Sequence, residues 1–182
     1  FGGGTPTTLS AAQLDRLITE LKRLFDIDGC HEFTVEAGRP DSITLDKLQV
    51  LKKHNVGRIS INPQTMNQKT LDLIGRKHTV EQIKNVYNMA REEGFENINM
   101  DIILGLVGED VEIQAMNPES LTVHSLAIKR AAALNIWRDK YKQLSTKNTD
   151  EIIRMTEETA KNLDMQPTIC IARRTWLVTL KM

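Results

Sequence analysis

The chain has 182 residues, 40% of them hydrophobic, with Lys+Arg and Asp+Glu both at 24. That is enough apolar material for one substantial core, and the balanced charge points to neither nucleic acid nor an acidic membrane as a partner. No run of about 18 apolar residues could span a bilayer and no secretory segment is visible, so a cytoplasmic location is expected, while Cys30 and Cys170 form neither a metal-ligand pair nor a disulfide framework.

The chain opens on Phe1-Gly2-Gly3-Gly4-Thr5-Pro6-Thr7. Consecutive glycines leave backbone amides open to a ligand and can adopt positive φ. A helix follows, with Ser10 and Gln13 in a capping-box pattern, Leu9 and Leu14 at staple positions, and Leu14, Leu17, Ile18, Leu21 and Phe25 as an apolar stripe. The opening therefore reads as a strand end, a ligand-cradling loop and a helix. Phe33 and Val35 alternate with Thr34 and Glu36 as a short strand, closed by the turn Gly38-Arg39-Pro40-Asp41.

Thr44 is placed to cap a second helix carrying Leu45, Leu48 and Leu51, which Asn55 and Gly57 close. Arg58-Ile59-Ser60-Ile61 is strand-like, and Asn62-Pro63-Gln64 is expected to break it, because proline cannot donate within a sheet. A short helix near 69–74 leads to Gly75-Arg76-Lys77-His78. Thr79 and Gln82 then form a second capping box, ahead of Ile83, Val86, Tyr87 and Ala90, with Gly94 as the residue that ends the helix. Residues 97–104 are the strongest strand, with Asp101 embedded among Ile98, Met100, Ile102 and Ile103, and 121–126 is another, carrying His124. Helices are expected at 128–144 and 150–163.

Strands alternating with helices imply an α/β fold with a parallel sheet, either barrel-like or doubly wound. Both gather ligands at the carboxyl ends of their strands, where this sequence holds Gly2 to Thr5, Glu36, Gln64 and Asp101. Two places break the pattern. Between Gly105 and Ser120 there is room for about six residues of helix, about 9 Å long, whereas a crossover helix must return the length of a strand, about 17–20 Å. The stretch from Thr168 to Trp176 has no helical period or clear strand partner, and 177–182 is strand-like by propensity alone; its ordinary reading is a hairpin at the sheet edge.

Six motifs in order resemble one family. They are Phe1-Gly-Gly-Gly-Thr-Pro-Thr7, Phe33-Thr-Val-Glu-Ala-Gly-Arg-Pro-Asp41, Arg58-Ile-Ser-Ile-Asn-Pro-Gln-Thr-Met66, Ile74-Gly-Arg-Lys-His-Thr79, Asn97-Ile-Asn-Met-Asp-Ile-Ile-Leu-Gly105 and Leu121-Thr-Val-His-Ser-Leu-Ala-Ile-Lys-Arg-Ala-Ala132. Together these are similar to the radical S-adenosylmethionine (SAM) proteins of the oxygen-independent coproporphyrinogen III oxidase group, and the second and sixth to its HemZ branch. The resemblance implies a partial (β/α)6 TIM-like barrel lacking its first strand and most of the second. Residues 1–145 would form the barrel, and 146–167 a helix leading toward a carboxyl-terminal region.

It implies SAM as cofactor, with Gly2, Gly3 and Thr5 at its methionine end and Glu36, Gln64, Arg76 and Asp101 as further contacts. It also implies a [4Fe-4S] cluster held by a Cys-x3-Cys-x2-Cys loop, a porphyrinogen substrate, and an electron donor. A haem-chaperone paralogue and a non-catalytic remnant are the alternatives. The sequence departs from the family in three respects. It holds no Cys-x3-Cys-x2-Cys, so no catalytic or metal-ligating residue is assigned and the chain on its own is expected to be inactive. Gly105-Leu-Val-Gly-Glu109 replaces the usual Gly-Leu-Pro-Gly-Glu. Finally, one added base ahead of a back-translated Thr168 turns residues 168–182 into YYLYSKKNMAGNLEN, which resembles the family's continuation, so this tail is expected to be frameshifted. Without the resemblance, Glu36 and Asp101 read as ordinary strand-end carboxylates, Gln64 as a turn residue, Arg76 as a surface charge and His124 as a structural histidine.

Overall fold

The computed structural model describes residues 1–104, 115–125, 150–173 and 175–181. They divide into two compact units, one of Phe1–Pro63 with Arg76–Met100, the other of Gln64–Gly75 with Asp101–Met182. Among the described residues, no helix is long and apolar enough to cross a membrane.

In the first unit the glycine stretch leads into a 3₁₀ turn, Pro6–Thr8, and then helix α1, Ala11–Leu24. Strand β1, Thr34–Gly38, is followed by a second 3₁₀ turn, Pro40–Ser42, and helix α2, Leu45–Lys53. Strand β2 is Arg58–Gln64, and helix α4, Val80–Glu92, precedes strand β3, Asn97–Leu104, which is divided between the units. The strands order β1-β2-β3. β1 and β2 pair in parallel, with Thr34 opposite Arg58 and Val35 opposite Ile59, and the register shifts between Val35 and Gly38.

Both capping boxes form as the sequence indicates, Ser10 with Gln13 and Thr79 with Gln82, each satisfying two helix-end amides that would otherwise lack partners. Thr44 behaves differently. It sits at the N-cap of α2 but accepts nothing from the helix, and its hydroxyl donates to the Asp46 carboxylate. β2 is also longer than proline chemistry suggested. It runs through Pro63 to Gln64, since a proline at a strand's last residues removes a single donor while its carbonyl still accepts.

The core of this unit is built from Leu14 and Ile18 of α1, Leu48 and Leu51 of α2, Val35, Ile59 and Ile61 of the strands, and Ile83 of α4, all with no accessible surface. Each such side chain contributes about 1.5–3 kcal/mol on leaving water. α1 packs on α2 and α2 on α4. The α1–α2 contact carries a polar clasp in which Asp15 receives Lys53 Nζ at 2.7 Å and meets His54 Nε2 at 2.6 Å. Residues alternate across a strand, and in β2 this puts Ile59, Ile61 and Pro63 on one face and Arg58, Ser60, Asn62 and Gln64 on the other. Ser60 Oγ and Asn62 Oδ1 are buried there without hydrogen-bond partners.

The second unit contains helix α3, Gln68–Leu73, the end of β3, strand β4, Ser120–Ser125, helix α5, Asp150–Asn162, and strands β5, Gln166–Arg173, and β6, Thr175–Lys181. Its strand order is β3-β4-β6-β5. The tail is thus a hairpin, with β6 antiparallel to both β4 and β5 and Thr122 opposite Thr179. Sequence pattern gave residues 168–176 no partner, and the hairpin supplies one. The motif at 105–109 and the expected helix at 128–144 lie outside the described residues.

Candidate functional site

Four of the expected ligand residues, Gly2, Gly3, Thr5 and Glu36, meet where the opening loop lies along β1. The Phe1 ammonium donates to Thr34 O at 2.8 Å and the Glu36 amide donates to Phe1 O at 2.9 Å. That is the hydrogen-bond pattern of a parallel strand end beside β1. Gly3 and Gly4 follow with φ of 92° and 63°, conformations that side-chain-bearing residues rarely adopt. A Cβ on either would meet nothing within 4 Å, whereas one on Gly2 would come within 2.4 Å of Glu36 Oε2. The Glu36 carboxylate is therefore laid against the glycine backbone, beside the open space over Gly3 and Gly4.

The loop is anchored one step further on. Thr5 packs on Gly38, whose φ is 77° and whose added Cβ would lie 3.2 Å from Thr5 Cγ2. Thr7 has no accessible surface, and its hydroxyl donates to Ala37 O and lies 2.6 Å from Ser42 Oγ. Lys47 Nζ closes the assembly by donating to Thr7 O at 2.7 Å and Ser42 O at 2.9 Å. The pattern of threonines was visible in the sequence, but the partners Ser42 and Lys47 were not, since neither belongs to a recognisable motif.

Arg76 joins a second cluster in the same unit. Arg39 donates to Asp41 through Nε at 3.0 Å and Nη2 at 2.7 Å, a two-pronged pair. Burial alone would push the Asp41 carboxyl up, but the Arg39 bonds and charge outweigh it and hold it below the ordinary value. Burial lowers Arg76, with the Arg39 charge adding to the effect and Asp41 opposing it. His78 is fully buried. Its Nε2 lies 3.3 Å from Pro63 O and its Nδ1 3.9 Å from Asp41 Oδ1. Burial pushes its pKa down, Arg76 and Arg39 push the same way, and the Pro63 bond and Asp41 push back. Sequence spacing gave His78 no role; its surroundings come from the end of β2 and the Pro40–Ser42 turn meeting one ring.

Gln64 and Asp101 belong to the second unit. Gln64 has φ of 69°, a left-handed conformation that is uncommon outside glycine and concentrates at functional positions. Alternation puts Asp101 on the face opposite the buried Met100 and Ile102, with Ile103 on its own face, and His124 Nε2 of β4 lies 3.8 Å from its Oδ2.

The set of groups in the first unit is chemically specific: a carboxylate on a glycine cradle, a half-buried guanidinium and strand-end backbone amides. Residues 1–116 match the Radical SAM superfamily. The chain belongs to the radical SAM superfamily. It is 47% identical to the oxygen-independent coproporphyrinogen-III oxidase-like protein HemZ of Bacillus subtilis, over 87% of this chain and 33% of that protein. It is 34% identical to the heme chaperone HemW of Lactococcus lactis, over 91% of this chain and 42% of that protein. Among solved structures, coproporphyrinogen III oxidase (HemN) from Escherichia coli, a radical SAM enzyme, superposes with a TM-score of 0.75 at 27% identity, covering 99% of this chain and 42% of that one. The α/β fold with a parallel sheet agrees with that superposition. The chain spans about a third of the length of its HemZ relative.

Proposed function

We propose that this chain carries the part of a radical SAM domain that seats the amino-acid end of SAM. Glu36 accepts the ligand's ammonium, the Gly2 to Thr5 backbone and the Thr5 hydroxyl line its methionyl chain, and Arg76 donates to its carboxylate. The pairing is complementary in charge: a zwitterion needs one acceptor and one donor a few bonds apart, with room between them for the chain. The observation that carries the reading is the Glu36 carboxylate lying against Gly2, beside glycines whose side-chain positions are open. Gln64 and Asp101 are added as contacts on the family resemblance, which would give the ribose and adenine ends their polar partners.

SAM, when bound beside a reduced iron–sulfur cluster, supplies the radical chemistry of this superfamily. Cys30 and Cys170 do not make the three-cysteine loop that such a cluster uses, so no cluster ligand is assigned to this chain. For the whole protein we propose oxidation of a porphyrinogen, as the name of the HemZ relative suggests, with an external electron donor and a cytoplasmic setting. Handling of haem, as in the HemW relatives, is the second reading, favoured by their 34% identity over most of this chain.

Isothermal titration of the chain with SAM tests the binding. Saturable uptake that falls about tenfold or more in Glu36→Gln, from loss of a charge-assisted hydrogen bond, is the expected result. No uptake, or uptake unchanged in that variant, overturns the assignment.

A further inference from the structure

Two groups in the Arg76 cluster are incomplete in complementary ways. A carbonyl only accepts, so the Pro63 contact at 3.3 Å requires the proton of His78 on Nε2. In the neutral ring Nδ1 is then a bare acceptor. It is buried and unpartnered, and the Asp41 carboxylate, 3.9 Å away, is itself an acceptor. An orphaned buried acceptor is costly to keep. On the same loop, two residues earlier, the half-buried Arg76 has donors only and has no hydrogen-bond partner among the described residues. The neighbouring Arg39 is held with Nε and Nη2 on Asp41. One unpartnered acceptor thus lies within the field of one unpartnered donor set.

We propose that His78 is the positioning residue for Arg76: in the ligand-bound state one edge of the guanidinium donates to His78 Nδ1, so that its other edge faces the ligand carboxylate. Pro63 fixes the ring by holding Nε2, and Asp41, on the Nδ1 side of the ring, is already engaged by Arg39. A planar fork with two usable edges suits this division, which a lysine could not perform. The proposal rests on the reading of Arg76 as the carboxylate partner.

The test compares SAM with decarboxylated SAM, which differs only in the group Arg76 is assigned to bind, on the full chain and three variants. His78→Gln keeps a donor for Pro63 O and loses the Nδ1 acceptor; His78→Asn places an acceptor near Nδ1; Arg76→Gln removes the fork. Backbone circular dichroism checks that each variant folds. His78→Gln is expected to weaken SAM about tenfold and leave decarboxylated SAM unchanged, with His78→Asn recovering most of the loss. In the double variant His78→Gln/Arg76→Gln the two losses should not add. An equal loss for both ligands, or none, overturns the positioning role while the proposed site stands. SAM binding unchanged in Arg76→Gln removes the partner and the proposal with it. If wild type takes up neither ligand, the site reading itself has failed and the proposal falls too.

Discussion

Replacing Thr7 by valine tests whether the glycine loop is latched to β1 by a single buried hydroxyl. Valine keeps the shape and deletes the oxygen. Thr7 has one hydroxyl proton, which goes to Ala37 O. The 2.6 Å contact with Ser42 therefore uses the proton of Ser42, for which Arg39 O at 2.8 Å also competes. Thr7→Val thus strands the Ala37 carbonyl, whereas Ser42 retains Arg39 O. Losing one buried bond and leaving its partner unsatisfied costs about 1–3 kcal/mol, equivalent to roughly a 5- to 150-fold rise in the opening constant. Native-state hydrogen exchange reads this at two amides, Glu36, which donates to Phe1 O, and Leu48, which donates to Thr44 O on α2. Both should exchange faster. Ser42→Ala should cost less, and Thr7→Val/Ser42→Ala less than the sum, because the two residues share one network. A change under about threefold at both amides would refute the latch, since it lies below the smallest cost of an orphaned buried carbonyl.

Two further perturbations follow from the same region. His78 is held below its ordinary pKa, chiefly by burial, so above about pH 6.5 neither the folded nor the unfolded chain carries its proton. As pH falls below that value the unfolded chain takes up the proton first, and stability declines toward the folded pKa by at most about 1.4 kcal/mol per pH unit. Urea midpoints between pH 7 and 5 should show this decline in wild type and lose it in His78→Gln, whereas equal slopes would contradict the assignment; Asp15, Asp41 and Asp46, all lowered, give up their contributions only below the ordinary aspartate value of about 3.9. Gly38→Ala forces a side chain into φ of 77° and against Thr5 Cγ2, costing about 1–2 kcal/mol from the backbone alone; thermal melts should show that Thr5→Ser does not restore it, because the strain is in the backbone rather than the contact.

Local chemistry was the most legible part of the sequence. The capping boxes at Ser10 and Thr79, the left-handed closures at Asn55 and Gly94, and the apolar periods of α1 and α4 all depend on residues within a turn or two of one another. Thr44 shows the limit of that logic, because its hydroxyl donates to the Asp46 carboxylate and receives no helix amide. Asp101 shows another: alternation puts its immediate neighbours Met100 and Ile102 on the opposite face, and the group facing it, His124 of β4, is distant in sequence. The tail hairpin depends on pairing with β4, a partner more than forty residues away in register, Ser120 opposite Lys181, and no local period announces such a pairing. In the candidate site, Gly2 lies against Glu36 and Thr5 against Gly38, approaches between loops distant in sequence that no local pattern places together. His78 has no sequence signature of its own, because its environment is set by an unpartnered nitrogen and the carbonyl of Pro63.

The opening glycines also carry a prediction about how sequences of this kind can drift. Gly3 and Gly4 are restricted by their own backbone, so whatever the rest of the chain does, exchange there is confined to the few residues, chiefly asparagine and aspartate, that tolerate the left-handed region. Gly2 is restricted by a neighbour instead, because the space its Cβ would take is filled by the end of the Glu36 side chain. A shorter residue at position 36 would release Gly2 without touching Gly3 or Gly4. Positions 2 and 36 should therefore vary as a pair and positions 3 and 4 each alone, so that a run of identical residues records two unrelated histories of constraint.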